Sequence, residues 1–313
     1  MAIKNRFVYI GDVALDEYYS IDRWPAMNDK LMVKTLPAIP GGMIANATCV
    51  SAAMGKDVSF IAALNSGAVT QLLLRDLETY GIDTSYVSFD ESLPDSKTMI
   101  FMLGDQNTIF IPELNIDHIE LSGEALEYLS DAEIVYSSPG ELSTLRCGDM
   151  GWKEIIEYCR KKGALFCCDL DVYYAEDLDQ SFFENTDILF FNEIGYERFC
   201  RGRSDAEGYA ALRDMGNRIV VVTKAEKGCD VYADGVSTHY PAAAIDVVDA
   251  TGAGDTFCSS FLVAYSDTGD IAYSAKYATA AASICCINMG AREGAVSKEK
   301  VMEYMDSMTY NTL

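Results

Sequence analysis

The stretch "AIDVVDATGAGDTFCSSFLVAYSD", residues 244–267, decides the fold of this chain. Its apolar start at 244–248 predicts a strand, and the glycines that follow predict a tight turn. Beyond the turn, Phe257, Phe261 and Tyr265 recur at helical spacing, which predicts a helix with one apolar face. A strand that leads through a turn into such a helix is the repeating unit of an α/β domain.

The glycine turn in this stretch has the composition of an anion site. Glycine backbone lets a ligand approach closely, and the first N–H groups of a helix have no intrahelical partner. The predicted anion hole consists of Gly252, Ala253 and Gly254. Asp255, at the start of the helix, would take a proton from a hydroxyl that attacks phosphorus. The alternative from the residues alone is an ordinary turn with Asp255 as a helix cap.

The rest of the chain alternates short apolar runs with helical stretches. The predicted strands lie at 6–12, 57–64, 133–138, 164–170, 187–192 and 218–225. Helical spacing of apolar residues predicts helices at 70–80 and 149–162. Because apolar residues run almost continuously through the strands, the sequence predicts an α/β fold. Its sheet would be doubly wound and mainly parallel, with helices on both faces.

Two segments break this alternation. Residues 15–40 are strand-like with three prolines, and residues 97–114 predict a hairpin that turns at "GDQN" (104–107). Inserted strands of this kind predict a separate small sheet, which would be a lid over the site or an edge for dimerisation. The alternative is a simple extension of the main sheet. We therefore predict one domain over 1–313 with a discontinuous β lid.

The composition excludes several classes of function. The 313 residues carry a formal net charge of -24, which disfavours binding to nucleic acids and to anionic membrane surfaces. No apolar run reaches transmembrane length and the first residues lack a signal-peptide core, so we predict a cytoplasmic protein. The ten cysteines lie mostly in apolar runs, which indicates buried, reduced thiols.

Three motifs carry a resemblance to a known family. "DATGAGDTF" (249–257) resembles the C-terminal signature of the ribokinase-like (PfkB) small-molecule kinases. "PGGMIANATCVSAAMG" (40–55) is similar to the N-terminal signature of that family, and "YIGDVALDEYYSIDRWP" (9–25) resembles its opening strand. These motifs occur in the order of the family and span nearly the whole chain. The resemblance therefore implies a ribokinase-like fold and an ATP-dependent kinase.

The resemblance also implies roles for residues at the matching positions. The residues expected to contact acceptor hydroxyls are Asp16, Gly41, Gly42 and Asn46. The anion hole and the base would again be the glycine turn and Asp255. Taken singly, these acceptor residues also have structural explanations: a loop acid, a plain turn and a helix-start residue.

On the nucleotide side, "VVTKAEKG" (221–228) resembles the family's Thr-x-Gly-x-x-Gly turn. Thr223 and Gly228 match it, whereas Ala225 stands in place of the middle glycine. Asn288 is expected to contact the nucleotide or to cap a helix. Asp249 and Thr251 match positions that help to bind a monovalent cation such as K⁺ in some members. Asp249 could instead brace the turn.

The chain departs from the family where Mg²⁺ is handled. In "FFNEIGYE", Asn192 matches the common Asn-x-x-Glu, but Gly195 takes the place of the glutamate. Glu193 or Glu197 would have to act on Mg²⁺ through water, although each faces another direction on a helix. "CCDLDV" keeps Asp169 but has Leu-Asp where Pro-Asn is common. These departures affect metal handling rather than the base or the anion hole.

The leading hypothesis is therefore an ATP- and Mg²⁺-dependent kinase that phosphorylates a hydroxyl of a small sugar or sugar acid, with a homodimer formed through the lid. A nucleoside kinase is the runner-up. It would need aromatic stacking in the pocket, for which the candidates are Tyr18, Tyr19, Trp24 and Phe101. Phosphorylated acceptors remain open, with Arg23, Lys30 or Lys34 as candidates for the second phosphate. A catalytically weak sugar- or nucleotide-binding protein is the alternative from another class.

Overall fold

The computed structural model describes residues 5–104, 106–171, 178 and 180–311. Within these residues, the first nine strands are β1 Arg6–Ile10, β2 Ala14–Ser20, β3 Lys34–Thr35, β4 Ile39–Gly41, β5 Asp57–Ile61, β6 Ala63–Leu64, β7 Ser88–Phe89, β8 Lys97–Leu103 and β9 Gln106–Phe110. The other nine are β10 Ile119–Glu120, β11 Ile134–Ser137, β12 Leu145–Cys147, β13 Met150–Gly151, β14 Leu165–Asp169, β15 Ile188–Asn192, β16 Ile219–Thr223, β17 Cys229–Ala233 and β18 Val236–Tyr240. The helices are α1 Met43–Ala53, α2 Ala68–Thr79, α3 Gly123–Ser130, α4 Pro139–Ser143, α5 Trp152–Lys161, α6 Gln180–Glu184, α7 Glu193–Cys200, α8 Asp205–Asp214, α9 Ala253–Thr268, α10 Ile271–Cys286 and α11 Lys298–Ser307.

The main sheet has eight strands in the order β18-β17-β16-β15-β14-β11-β1-β5. All six predicted strands lie in it and pair in parallel, and only β17 and β18 are antiparallel additions. Alternate residues of β1 enter two different apolar layers: Phe7 and Tyr9 pack with α1, α9 and α10, and Val8 and Ile10 pack with α3 and α5. The predicted doubly wound α/β fold is confirmed.

The two predicted helices are confirmed with shifted starts. Residues 70–80 belong to α2, and most of 149–162 belongs to α5. Met150, which was predicted to lie on the helix, instead pairs with Cys147 between two short strands. All ten cysteines are free thiols and most are buried, as their apolar surroundings predicted.

The predicted strand at 244–248 is wrong. Residues 244–252 form neither helix nor strand. Val247 and Val248 are 60% and 58% exposed. The backbone N–H groups of Val248 and Asp249 donate to the Cys286 carbonyl at the end of α10. A β-prone run forms a strand only where an open edge is available to pair with it, and this run docks on a helix end instead.

The inserted segments form a separate sheet, as predicted, with the order β3-β2-β8-β9 and β4 paired to β2. We call these five strands the small sheet. The hairpin of β8 and β9 is confirmed, with Asp105 of its turn outside the described residues. Strand structure covers only part of 15–40, because residues 21–33 are irregular. Three residues separate β1 from β2, so the small sheet begins at the carboxyl edge of the main sheet.

Candidate active site

Polar residues of three neighbouring parallel strands converge where those strands end. Asp169 is the last residue of β14, Asn192 of β15 and Thr223 of β16. The carboxyl ends of parallel strands lie on one edge of a sheet, which is where open α/β sheets bind ligands. Asp255, near the start of α9, is coupled electrostatically to Asp169. The glycine turn therefore faces this same edge.

Gly252 must be a glycine for two reasons. Its φ is +76°, and a Cβ at this position would lie 2.0 Å from the backbone oxygen of Ala291. Gly254 differs, because a Cβ there would meet no atom within 4 Å, so the helix start opens onto free space. The first amides of a helix have no intrahelical partners and are suited to bind an anion, although here the Ala253 N–H already donates to the Ala250 oxygen at 3.2 Å.

Asp249 braces the turn, as one of its two sequence interpretations predicted. Its Oδ1 accepts hydrogen bonds from the N–H and the hydroxyl of Thr251, at 3.0 and 2.7 Å, and its Oδ2 accepts one from the Gly290 N–H at 3.0 Å. Burial opposes ionisation, but these hydrogen bonds hold the pKa of Asp249 below its ordinary value. An anionic carboxylate thus joins the turn to the loop after α10.

Asp255 is partly buried and makes a specific contact. The Asn46 Nδ2 donates to Asp255 Oδ2 over 2.8 Å. Burial raises the pKa of Asp255 well above its ordinary value, the Asn46 hydrogen bond opposes this, and the charges of Asp169 and Asp12 add to the rise. A carboxylate with a raised pKa accepts a proton more readily near neutral pH. The role of Asp255 as the base stays a prediction.

The acceptor-side residues meet beside Asp255. Asp16, at 8% exposure, has a pKa of about 6, raised mainly by burial and also by Asp12, and lowered by the Thr98 hydrogen bond and by Arg292. A Cβ at Gly41 would lie 2.1 Å from Asp16 Oδ2. Gly42 has a φ of +99°, and a Cβ there would lie 2.8 Å from the Val13 Cα. Gly41 therefore lets the chain pack directly against Asp16, and Gly42 lets it pack against Val13 and Asp12.

Two further acids in this region escaped the sequence reasoning. Asp12 accepts hydrogen bonds from the N–H groups of Met43 and Ile44, both at 3.0 Å, and so caps α1. Glu141 lies on α4, and burial and the charge of Asp12 raise its pKa. The only sequence signal for Asp12 was its place at the end of the first predicted strand, 6–12. Glu141 gave no signal, because its approach depends on the pairing of β11 with β1.

Arg292 is the other residue that sequence reasoning missed. Its Nε donates to Asn46 Oδ1 over 3.0 Å, Nη1 donates to Asp76 Oδ2, and Nη2 approaches the Gly41 oxygen at 3.4 Å. The side chain is 11% exposed. No motif marks this arginine, since its partners are contributed by α1, α2 and β4. It is a cation inside a site otherwise lined by acids.

The structure explains why a glycine stands at position 195, where the family commonly has a glutamate that acts on Mg²⁺. A Cβ there would lie 2.7 Å from the Asp171 oxygen, so the backbone of the neighbouring loop fills the place of a side chain. Asn192 caps α7 by accepting from the Gly195 N–H at 2.7 Å, and its Nδ2 donates to Asp171 Oδ1 at 3.0 Å. Glu193 instead pairs with Lys227 on the surface, at 3.0 Å. Asp171 is therefore the carboxylate next to Asn192.

The nucleotide-side residues are only partly brought together. Thr223 lies at the sheet edge and donates to the Phe191 oxygen over 3.3 Å. Gly228 has a φ of +101°, and a Cβ there would lie 2.0 Å from the Tyr240 oxygen. Ala225 adopts a left-handed φ of +48°, which suits the glycine that the family has there. Exposed Asn288 donates to the Ile284 oxygen at 2.8 Å, as the helix-capping alternative predicted.

Across the described part of the chain, no three His, Cys, Asp or Glu side chains are arranged to hold a metal ion by themselves. In the same residues, no helix combines the length and the apolar character needed to cross a membrane.

Comparison with known proteins places the chain in a family. A family model described as pfkB family carbohydrate kinase matches residues 5–298. A nucleoside kinase from Methanothermobacter thermautotrophicus is 28% identical over 304 residues, covering 90% of both chains.

Solved structures agree on the fold. Arabidopsis thaliana ribokinase, complexed with ribose and ATP, has a TM-score of 0.82 and 23% identity, covering 96% of this chain and 98% of that chain. A protein from E. coli assigned to ribokinase II, in complex with ATP and Mg²⁺, has a TM-score of 0.79 and 17% identity, covering 97% and 99%. The chain thus shares the ribokinase fold over nearly its full length.

Proposed function

Because this chain belongs to the pfkB family of carbohydrate kinases, we propose that it transfers the γ-phosphoryl group of ATP to a hydroxyl of a small, uncharged sugar. The contact of Asn46 Nδ2 with Asp255 Oδ2, at the mouth of the glycine turn, carries this proposal. It joins a proton acceptor to a side chain that can hold a substrate hydroxyl, next to amides that can hold a phosphate.

In the proposed reaction, the acceptor hydroxyl loses its proton to Asp255 as its oxygen forms a bond to the γ-phosphorus. The bond between that phosphorus and the bridging oxygen of ADP breaks, and ADP leaves. The amides of Gly252, Ala253 and Gly254 bind the oxygens of the transferring group. Asp16 and Asn46 hold neighbouring hydroxyls, so that the reacting oxygen stays in line with phosphorus.

The small sheet would be the lid of this site. It carries Asp16 and Tyr18 on one face of β2, and both are coupled electrostatically to residues of the site below. A lid that closes over the acceptor excludes water, which would otherwise accept the phosphoryl group.

For Mg²⁺, we propose Asp171 and Asn192 as the protein groups that face the ion, with Glu193 as the alternative. The donor types fit, since Mg²⁺ favours one or two carboxylates together with phosphate and water oxygens. When bound, the ion neutralises charge on the phosphates. Asp249 and Thr251 remain the proposed neighbours of a monovalent cation such as K⁺, because Asp249 holds its negative charge there.

The charges around the acceptor favour an uncharged substrate. Asp12, Asp16, Glu141 and Asp255 line this side, and burial raises the pKa of all four. Arg292 is already paired with Asp76. A sugar phosphate or sugar acid would add a negative charge to this cluster, which costs binding energy.

A nucleoside acceptor is the second candidate. The likeness to the archaeal nucleoside kinase favours it, and so does Tyr18. Burial, followed by the charges of Asp16 and Asp249, raises the pKa of Tyr18 to about 12, so its hydroxyl is influenced by one acid of the acceptor side and one of the glycine turn. The other aromatic candidates, Tyr19, Trp24 and Phe101, pack against one another on the outer face of the small sheet. They therefore give no stacking surface for a base, and the sugar remains the better proposal.

The test is ADP release from ATP and Mg²⁺ with a panel of neutral sugars, sugar acids, sugar phosphates and nucleosides. We expect turnover with neutral sugars that Asp255→Asn abolishes, with ATP affinity retained by calorimetry. Turnover only with nucleosides or charged sugars would overturn the acceptor class. ATP binding without turnover on any acceptor would favour a weakly catalytic binding protein.

We also propose that the protein forms a homodimer through the outer face of the small sheet. A hollow of about 390 Å³ there is lined by Trp24, Phe101 and Leu103, and Phe110 beside it is 45% exposed. Light scattering should give twice the monomer mass, and Phe110→Glu should give monomers. Val236→Glu, at the far edge of the main sheet and 60% exposed, is the matched control that should leave the dimer intact. A monomeric wild type would refute the dimer.

A further inference from the structure

A chain of four polar side chains crosses the acceptor side of the site. Asp76 of α2 accepts from Arg292, Arg292 donates to Asn46 of α1, and Asn46 donates to Asp255 of α9. Each link is a hydrogen bond between residues that lie more than 200 positions apart in the sequence. The chain therefore depends on the tertiary packing and connects three helices to the base.

The orientation of the Asn46 amide in this hydrogen-bonded chain follows from which of its neighbours donate and which accept. A guanidinium group only donates hydrogen bonds, so the side of Asn46 that faces Arg292 must be its oxygen. The amide nitrogen of Asn46 is then turned towards Asp255. With the amide reversed, its oxygen would face the Asp255 carboxylate, and its N–H groups would face the guanidinium. Both contacts would be repulsive. Arg292 thus sets which atom of Asn46 meets the base.

Arg292 is itself held on three sides. Its Nη1 donates to Asp76 and its Nε donates to Asn46. The Gly41 oxygen lies 3.4 Å from its Nη2. With only 11% of its side chain exposed, it has little freedom to rotate. A lysine ammonium is a single point on a flexible stem and cannot reach these three partners in one geometry.

We propose that Arg292 is a positioning residue for phosphoryl transfer, which locks the Asn46 amide with its nitrogen on Asp255 and so aligns the base with the acceptor. This inference rests on the proposed kinase function. A merely structural Arg292 would stabilise the junction of α1 and α2 and would leave the proton affinity of Asp255 unchanged.

The groups that titrate around Asp255 define what a pH experiment can report. They are Asp12, Asp169, Asp171, Tyr136, Cys258 and Cys285, and Arg292 is the cation that reaches Asp255 through Asn46. None of them but Arg292 bonds to Asn46 in the described contacts. A change in the Asp255 titration that follows loss of Arg292 and requires Asn46 is therefore assigned to this chain.

The first experiment compares Arg292→Met and Arg292→Lys with the wild type, using kcat and KM as functions of pH. We expect kcat to fall about ten- to a hundredfold in both, because the base is misaligned, and KM for ATP to change less than about twofold. In Arg292→Lys, which keeps the charge that lowers the pKa of Asp16, the acid limb of kcat should move to higher pH, since Asp255 loses a fixed hydrogen bond to its ionised form. Wild-type kcat and acid limb in Arg292→Lys would overturn the proposal.

A double-mutant cycle separates positioning from packing. If Arg292 acts through Asn46, Arg292→Met should have almost no further effect on kcat in an Asn46→Ala background. Additive losses would show that Arg292 acts by another route. Arg160→Met removes an arginine from another buried carboxylate, Asp187, at the opposite edge of the sheet. As the matched control, it should lower the melting temperature without shifting the acid limb.

A measurement without turnover keeps this inference distinct from the proposed function. ¹³C NMR of aspartate-labelled protein, with the Asp255 carboxyl signal assigned from Asp255→Asn, follows the pKa of Asp255 directly. We expect that pKa to rise in Arg292→Met. An unchanged pKa would overturn the positioning role even if the kinase is confirmed. A risen pKa would support it even if no acceptor in the panel is phosphorylated.

Discussion

Carboxylates at the two edges of the main sheet have opposite kinds of neighbours. At the amino edge, acids are paired with cations: Asp187 lies 2.9 Å from Arg160 and Asp267 lies 2.8 Å from Lys56. At the carboxyl edge, acids face other acids. Burial raises the pKa of Asp12, Asp16, Glu141, Asp169 and Asp255 there, whereas hydrogen bonds hold the pKa of Asp249 below its ordinary value. The first arrangement stabilises the fold, and the second is the kind of arrangement that raises the pKa of carboxyl groups at functional sites.

The sign of the effect on stability follows from the direction of the pKa shifts. A carboxyl group whose pKa is higher in the folded state binds its proton more tightly there than in the unfolded chain. Its favourable contribution is complete below the unfolded pKa and is lost as pH rises through the folded pKa. The carboxyl edge therefore weakens the fold at neutral pH, and the paired acids of the amino edge offset that cost.

The largest expected effect is at Asp255, the proposed base. Asp255→Asn should lower kcat about a thousandfold or more, because the hydroxyl then has no proton acceptor, and the fold should not lose stability. Single-turnover kinetics and thermal melts of the same preparation measure both. Retained activity, or a melting temperature well below that of the wild type, would remove the contrast between the two edges.

Breaking an ion pair at the amino edge should lower stability and leave activity unchanged. Arg160→Met leaves Asp187, which is nearly buried, without its cation and should cost about 2 kcal/mol of unfolding free energy, a value reduced because Arg160 is partly exposed. Urea unfolding monitored by circular dichroism gives this number. The kcat of the folded enzyme should stay at the wild-type value, and a large loss would contradict a purely structural role.

Replacing Asp169 tests how much a buried acid at the carboxyl edge lowers the free energy of unfolding. Burial and the charge of Asp171 raise its pKa to about 6, and the hydroxyl of Tyr136 donates to it at 2.8 Å. Asp169→Asn removes the charge and can keep both contacts, with its oxygen accepting from the Asp171 N–H and its nitrogen donating to the Tyr136 hydroxyl, so we expect a gain of about 1–2 kcal/mol at pH 7.5. Because the wild-type group becomes protonated as the pH falls through 6, the gain should shrink between pH 7 and 5. Urea titrations at several pH values test this, and a gain that does not depend on pH would point to packing instead.

The smallest expected effect is at the nucleotide-side turn. Ala225 has a φ of +48°, which costs an L-residue about 1 kcal/mol and costs glycine nothing. Ala225→Gly should therefore raise the unfolding free energy by about 0.5 kcal/mol after the entropy of glycine is counted. Asp234→Gly, at a second left-handed residue in the hairpin of β17 and β18, is the matched comparison. A loss of stability in both variants would show that backbone strain at positive φ does not lower the unfolding free energy at these positions.

The sequence predicted the main sheet because its strands are buried on both faces, and burial leaves a continuous apolar run. It also predicted the glycine turn, since Gly252 is required by its own φ and by the close approach of Ala291. The strand at 244–248 was wrong because a sequence does not show which sheet edges are still open. The roles that the resemblance implied for Asp16, Asn46 and Asp255 remain proposals.

The contacts of Arg292 and Asp171 could not be predicted in this way. Each gains its meaning from a partner far away in the chain: Arg292 from Asp76 and Asn46, and Asp171 from Asn192 and the absent side chain at Gly195. A single arginine or aspartate in a chain with 48 acidic residues carries no local signal. Periodicity and turn chemistry are local, whereas these contacts depend on how the strands are ordered.

The aromatic cluster on the outer face of the small sheet also gives the molecule a built-in fluorescent probe. The chain has two tryptophans. Trp24 is 44% exposed and packs near Phe101 and Phe110, whereas Trp152 lies at the start of α5. In a Trp152→Phe protein, all tryptophan emission would come from the outer face of the small sheet. A blue shift with rising protein concentration would report its burial by a second copy, and a change on adding acceptor would report lid movement, both without any attached dye.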